Sequence, residues 1–353
     1  MRSNPWFRVA VTACSVLVVL LLAASWRFLA SHGVFTGVKP VSPGACRAIT
    51  GLDGPGDIAV DAGTKTVIIA AAAPAPSAQD GLYIFAYEKP DARPARLAGQ
   101  PEDFHPVAVS FVRNSGGAAL LAVNRRSNGD YAVDVFEVST EKDTVKLSEV
   151  GAITGDVLTD PADLAAIDRT RFYIVNRHST RTAFGRWLDD TFGLPRAEVL
   201  YFDGMKFVPV VKRLVEPSGI AISADGSHVY VSENGGRTVL AFERNPYSGQ
   251  LENAGSLAIN SGLEKMSVGL DGGLWIAAQP KAFAVSAFRR DPADPAPSQV
   301  FRVSIEAGKP QSAMLIYSNE GSQIGAADTV AVADNRLLIG SALDRKLLDC
   351  ALQ

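Results

Sequence analysis

Ser218-Gly219-Ile220-Ala221-Ile222-Ser223-Ala224-Asp225-Gly226, followed by Val229-Tyr230-Val231, is a short apolar strand, a tight polar turn and a second apolar strand. The same phrase opens at Gly56-Asp57-Ile58-Ala59-Val60, Val107-Ala108-Val109-Ser110-Phe111 and Ala162-Asp163-Leu164-Ala165-Ala166. It opens again at Glu264-Lys265-Met266-Ser267-Val268 and Asp328-Thr329-Val330-Ala331-Val332. Six copies spaced by roughly 45 to 65 residues predict an all-β chain, a six-bladed β-propeller with one four-stranded blade per repeat. A propeller places equivalent positions of its blades around one central channel, so the first two residues of each phrase are expected to ring the channel mouth.

Working outward, second strands are expected at Thr66-Val67-Ile68-Ile69, Ala119-Leu120-Leu121-Ala122-Val123, Phe172-Tyr173-Ile174-Val175, Leu274-Trp275-Ile276 and Leu337-Leu338-Ile339. Their continuous apolar runs fit strands covered on both faces by stacked blades. The turns between, such as Asn114-Ser115-Gly116-Gly117, Asp225-Gly226 and Asp271-Gly272-Gly273, are types that accept a positive φ. Leu82-Tyr83-Ile84-Phe85, Val133-Asp134-Val135-Phe136 and Val199-Leu200-Tyr201-Phe202 read as third strands. Val145-Lys146-Leu147, Val208-Pro209-Val210-Val211 and Val300-Phe301-Arg302-Val303 read as fourth, outer strands. Residues 180–195 break the pattern, with Phe184, Trp187, Leu188 and Phe192 at helical spacing and Asp189 and Asp190 opposite. This predicts a helix inserted on a blade loop. It could cap the channel as a lid, touch a membrane, or pack its apolar stripe on the propeller.

The chain has 353 residues, 47% of them hydrophobic, so one large all-β domain accommodates it. Its net charge is −3, and no basic stripe marks it as a partner of nucleic acid. Residues 9–26 are uncharged and mainly apolar and follow Arg2 and Arg8, so residues 1–30 form a signal anchor or a cleaved signal peptide. Either way the basic end stays cytoplasmic and the propeller, residues 46–353 behind a linker at 31–45, is exported. The membrane is then a partner through the N-terminal segment. Cys14 lies in the leader, which leaves Cys46 and Cys350 at the two ends of the globular part. A propeller brings its termini together, so a disulfide between them would staple the ring in an oxidising compartment; two separate buried thiols are the alternative.

These residues resemble the serum paraoxonase/arylesterase family over residues 46–352. The most specific stretches are Asn176-Arg177-His178 leading into the helical insertion, residues 218–226, and the closing Leu337-Leu338-Ile339-Gly340 through Cys350-Ala351-Leu352. The resemblance implies a six-bladed propeller with an uncleaved signal and joined ends. It also implies two channel calcium ions, one structural and one catalytic, and hydrolysis of lactones and aryl esters with a histidine pair activating water. Carried across, the structural ion takes Asp57, Asp163 and the backbone carbonyl of Val109, oxygen donors suited to a hard cation.

The positions of the catalytic shell are Gly56, Ala162, Ser218, Glu264 and Lys265, of which only Ser218 and Glu264 offer side-chain oxygens. An ammonium about 4 Å from a divalent ion costs about 8 kcal/mol at an effective dielectric near 20. Lys265 is therefore expected to replace the catalytic calcium and to pair with Glu264. The histidine pair falls on Val107 and Arg125; His105 stands two residues early, and His178 matches a family histidine near the inserted helix. Glu264, Lys265 and Ser218 remain the catalytic candidates. Two readings follow: an exported hydrolase of a small-molecule ester or lactone, and a non-catalytic binding propeller that keeps only the structural calcium.

Overall fold

Each expected inner strand forms, and each opens a four-stranded antiparallel blade. In this computed structural model residues 5–75, 77–89, 92–114, 117–141 and 144–352 are described. Arg2 and the expected turn residues Ser115 and Gly116 lie outside them. The innermost strands are Pro55–Asp61, Pro106–Asn114, Pro161–Ala166, Pro217–Ile222, Gly262–Val268 and Thr329–Ala333. They pack one against the next around the channel, and the last meets the first. Among the described residues, six apolar wedges result, one between each pair of neighbouring blades, and a seventh small cluster gathers Val285, Phe288, Ala296 and Ala326. Leu121, Val133, Leu164, Phe172 and Leu200 join blades two and three in this way. Ile58, Val67, Ala331 and Leu338 join blades one and six.

Blade six is completed from the other end of the chain. Its strand order runs from the inner Thr329–Ala333 through Arg336–Gly340 and Lys346–Ala351 to Cys46–Thr50. Cys46 lies opposite Cys350 in that register, and the two form a disulfide across 304 residues of sequence. Asp349, 3% exposed, holds the same seam: it accepts from Arg47 at 3.0 Å and pairs with Arg336.

Two features differ from the sequence reading. Val300-Phe301-Arg302-Val303 belongs to the third strand of blade five, Ser298–Glu306, and the outer strand is Lys309–Asn319. The cause is a second inserted helix, here α3 (Ala282–Arg290), which buries Val285 and Phe288 and delays the third strand. The inserted helix in blade three, α2 (Ala183–Phe192), forms as expected. Thr182 caps its start by accepting from Gly185 N, and Gly193 ends it at φ 59°. Its orientation is the reverse of a packed stripe: Phe184, Trp187 and Phe192 are 68%, 55% and 63% exposed, and Asp189 is buried. The polar face is the one the propeller binds, through Arg196 on Asp189 and His178 on Asp190.

The leader is one helix, α1 (Pro5–Ser31), whose segment Thr12–Ser31 is long and apolar enough to cross a membrane. The residues after it are docked rather than loose. His32 O accepts from Ala282 N, His32 stacks on Phe283 of α3, and Val41 pairs with Ser318. Gly33 sits at φ 71° against Pro280, where a Cβ would come within 1.8 Å of the Pro280 carbonyl oxygen, so no other residue fits that approach.

Candidate functional site

The residues expected to ring the channel are displaced from their ladders by bulges. The register slips between Pro55 and Asp57, Pro106 and Ala108, Pro161 and Asp163, Pro217 and Gly219, and Leu263 and Met266. Gly56, Val107, Ala162, Ser218 and the pair Glu264–Lys265 occupy those slips. A bulge re-aims side chains that strict alternation would send between blades. Proline suits the first residue of a strand, where no ladder donor is needed, and it opens four of the six. Gly219 lets blade four close on blade five, because a Cβ there would lie 2.7 Å from Lys265 Cα and 2.8 Å from Glu264 O.

Lys265 is 3% exposed and turns into the channel. Its Nζ donates to Gly56 O at 2.8 Å and Val107 O at 2.5 Å and lies 3.8 Å from both Asp57 Oδ2 and Asp328 Oδ2. Burial alone would lower the Lys265 pKa, but Asp57, Asp328 and Asp163 outweigh it and hold it above the usual lysine value. The surrounding carboxylates thus favour the charged form of Lys265. Asp57 and Asp163 are raised instead, both by burial, and Asp163 further by the charge of Asp57.

Both aspartates also staple neighbouring blades. Asp57 accepts from Ile58 N at 2.8 Å and from Val109 N, in the next blade, at 2.7 Å. Asp163 accepts from Leu164 N at 2.8 Å and from Ile220 N, again in the next blade, at 2.9 Å. Val109 therefore meets Asp57 through its amide. With an ammonium in the midst of these carboxylates, the donor set as arranged does not fit a calcium ion. No group of three or more His, Cys, Asp or Glu poised for a metal occurs among the described residues.

Glu264 does not pair with Lys265. Its carboxylate accepts from Arg177 at 2.8 Å and from Asn234 Nδ2 at 2.7 Å, and it is 2% exposed. Burial pushes its pKa up to about 8 against the pull of Arg177, helped by Asp328 and Glu216 nearby. Ser218 is fully buried, its hydroxyl beside Glu264 without reaching hydrogen-bond geometry. The mouth thus holds a carboxyl raised by burial to about 8, a guanidinium 23% exposed, and a buried ammonium.

The remaining expected residues are dispersed. Val107 contributes only its carbonyl, and the Arg125 guanidinium donates to Ala73 O and Pro74 O. His178 bridges Asp160 at 2.5 Å and Asp190 at 2.6 Å. Burial opposes its charge, but hydrogen bonds to these two carboxylates raise it to about 9, so it clamps α2 as a cation. His105 lies at the rim beside Asp80, 2.7 Å away. Sequence reasoning passed over Arg177 and Asn234, although Arg177 stood within a quoted motif; its charge was the available signal. Two cavities, of about 220 and 500 Å³, lie on the opposite face near Asp168 and Thr170 and near Trp275 and Arg302, and include none of these groups.

Comparison with known proteins agrees with this fold. The family profile described as Arylesterase matches residues 38–352. Serum paraoxonase/arylesterase 2 of Gallus gallus is 24% identical over 352 residues, 96% of this chain and 98% of its own length. The Homo sapiens protein of that name is 24% identical over 264 residues, covering 74% of this chain and 73% of itself. Among solved structures, a luciferin-regenerating enzyme superposes with a TM-score of 0.53 at 11% identity, covering 87% of this chain and 95% of its own. Regucalcin from Agrobacterium tumefaciens, a calcium-binding protein, also gives 0.53, at 13% identity and 89% and 96% coverage. These two share the fold. The profile match spans nearly the whole propeller, and the chain belongs to the arylesterase family.

Proposed function

We propose that this chain is an exported hydrolase of small esters or lactones that works without calcium at the channel mouth. Glu264 is its acid–base group, and Lys265 is the fixed cation holding the ring together. The observation that carries this reading is Glu264 itself: it is buried, oriented by Arg177 and Asn234, and raised to about 8. A carboxyl of that strength takes a proton from an attacking water and returns it to the leaving alkoxide. Arg177 is the group placed to meet negative charge developing on the carbonyl oxygen.

Phenyl acetate and a simple lactone are the test substrates. Turnover is expected to be insensitive to EDTA and to rise as pH passes about 8, where Glu264 loses its proton. Glu264→Gln is expected to lower kcat by about 100-fold and to abolish that rising limb. Calcium-dependent turnover would sink the reading. A binding propeller is favoured by one fact, the 2% exposure of Glu264, and a folded chain that hydrolyses neither substrate would select it.

The same face is proposed to lie against the membrane. Asn176 pairs with Pro161, and Gln279 with Gly262, so the loops that carry α2 and α3 leave the blades at the mouth. The end of α1 docks on α3 there, while α2 turns Phe184, Trp187 and Phe192 outward. An apolar helix face beside a spanning helix is positioned to enter the headgroup boundary. In full-length chain reconstituted into vesicles of phosphatidylcholine with brominated acyl chains, Trp187 emission is expected to be strongly quenched, read as the difference from Trp187→Phe. An unquenched Trp187 places α2 away from the lipid.

A further inference from the structure

Asp80, His105 and Ser127 meet on the rim of the mouth, apart from Glu264 and Lys265. Asp80 is 2% exposed; its Oδ1 accepts from Ala73 N at 3.0 Å and its Oδ2 from Ser77 N at 3.1 Å. That Oδ2 also lies 2.7 Å from Nδ1 of His105, which is 7% exposed. His105 cannot drift: its amide donates to Asn124 Oδ1 at 2.9 Å and its carbonyl accepts from Arg125 N at 3.1 Å. The other ring nitrogen, Nε2, faces Ser127 Oγ at 3.2 Å. Ser127 is exposed at a corner of a turn closed by Gly129 N on Arg126 O at 2.9 Å. Asp103 completes the group, accepting from Ser127 Oγ at 2.6 Å and lying 3.3 Å from Nε2.

A buried carboxylate on Nδ1 holds a proton there, so that Nε2 can accept from the hydroxyl once Ser127 turns from Asp103, and it stabilises the imidazolium that results. We propose that Asp80, His105 and Ser127 form a nucleophilic relay that transfers acyl groups from small activated carboxylic esters through Ser127. The Ser127 hydroxyl turns from Asp103 to Nε2 and its proton passes to His105 as Oγ bonds to the carbonyl carbon. The carbon–oxygen bond to the leaving group then breaks, and the leaving oxygen takes that proton. Water, deprotonated by His105, cleaves the acyl–serine to the free acid, and the proton returns to Oγ. Small esters are the class because Ser127 lies open to solvent rather than at the base of a cavity.

The position supports the assignment. Val107, two residues after His105, gives its carbonyl to Lys265, so the relay stands on the wall of the mouth. It rests on the reading of this face as an ester hydrolase, but uses neither Glu264 nor Arg177.

The test is covalent labelling of the full-length chain in detergent with a fluorophosphonate, located by peptide mass. The expected result is one adduct, on Ser127, absent from Ser127→Ala and formed about 100-fold more slowly in His105→Gln. Ordinary serine hydroxyls do not react, so urea-unfolded chain is expected to remain unlabelled, which decides the matter should His105→Gln fail to fold. No adduct on Ser127 of the native chain overturns the relay, as does equal labelling in folded His105→Gln or in unfolded chain. Labelling reads the relay alone, whereas the rising pH limb reads Glu264, so either can fail without the other.

Discussion

Lys265→Ala is expected to lower the melting temperature by about 6–15 °C and to make it dependent on calcium. The ammonium offsets Asp57, Asp163 and Asp328 and fills the hydrogen-bonding needs of the Gly56 and Val107 carbonyls. Removing one partner of a buried charge cluster leaves the others uncompensated, at about 3–5 kcal/mol. At about 2–3 °C per kcal/mol for a domain of this size, that gives the stated range. The gap left behind would be lined by three carboxylates and two carbonyls, the hard oxygen donors calcium takes. Calcium at 100 times its dissociation constant should then restore about 2.7 kcal/mol in the variant. In the wild type neither EDTA nor millimolar calcium should move the melt, and calorimetric titration should find no tight site. A wild-type melt that falls on chelation would show that ion and ammonium share the channel, and the replacement argument would fail.

Removing the Cys46–Cys350 bridge ranks second. The covalent loop spans 304 residues, for which the chain-entropy relation gives about 6 kcal/mol, an upper figure. Cys46→Ser with Cys350→Ser is expected to melt about 10 °C lower. The slope of free energy against denaturant should also steepen, since an unfolded chain freed from its ring exposes more surface. An unchanged midpoint and slope would mean that strand pairing alone, with Asp349 between Arg47 and Arg336, closes blade six.

The blades were legible because each repeats an apolar run and a turn, a signal carried by neighbouring residues. Inserted helices were less so. The run of Ala282, Val285 and Phe288 at helical spacing marks α3, yet it is one short stripe beside strong strand patterns, and missing it misnumbered Val300–Val303. For α2 the amphipathic pattern was readable and its direction was not. Periodicity says that a helix has two faces; here the polar face found more partners, His178 among them. The site divides in the same way. The substitution at Lys265 could be read against the repeat, but its partners could not, since Gly56 lies 209 residues and Val107 158 residues away. Adjacency made Glu264 the obvious partner, while the bulge sends the two apart and Arg177, 87 residues upstream, takes the carboxylate. Cys46 with Cys350 was readable only because a ring must close.

The seam of blade six also sets a timetable. Cys46–Thr50 emerges directly behind α1, but its partner Lys346–Ala351 is made some 300 residues later. At synthesis rates of about 5–20 residues per second, that strand waits about 15–60 s without its pairing strand. Blades one to five can assemble from local hairpins in the interval, whereas the two wedges of core that flank blade six stay open until the chain is finished. The early strand is therefore most exposed to mispairing with another nascent copy, and the enzymes that form disulfides must act at the end of folding rather than during it.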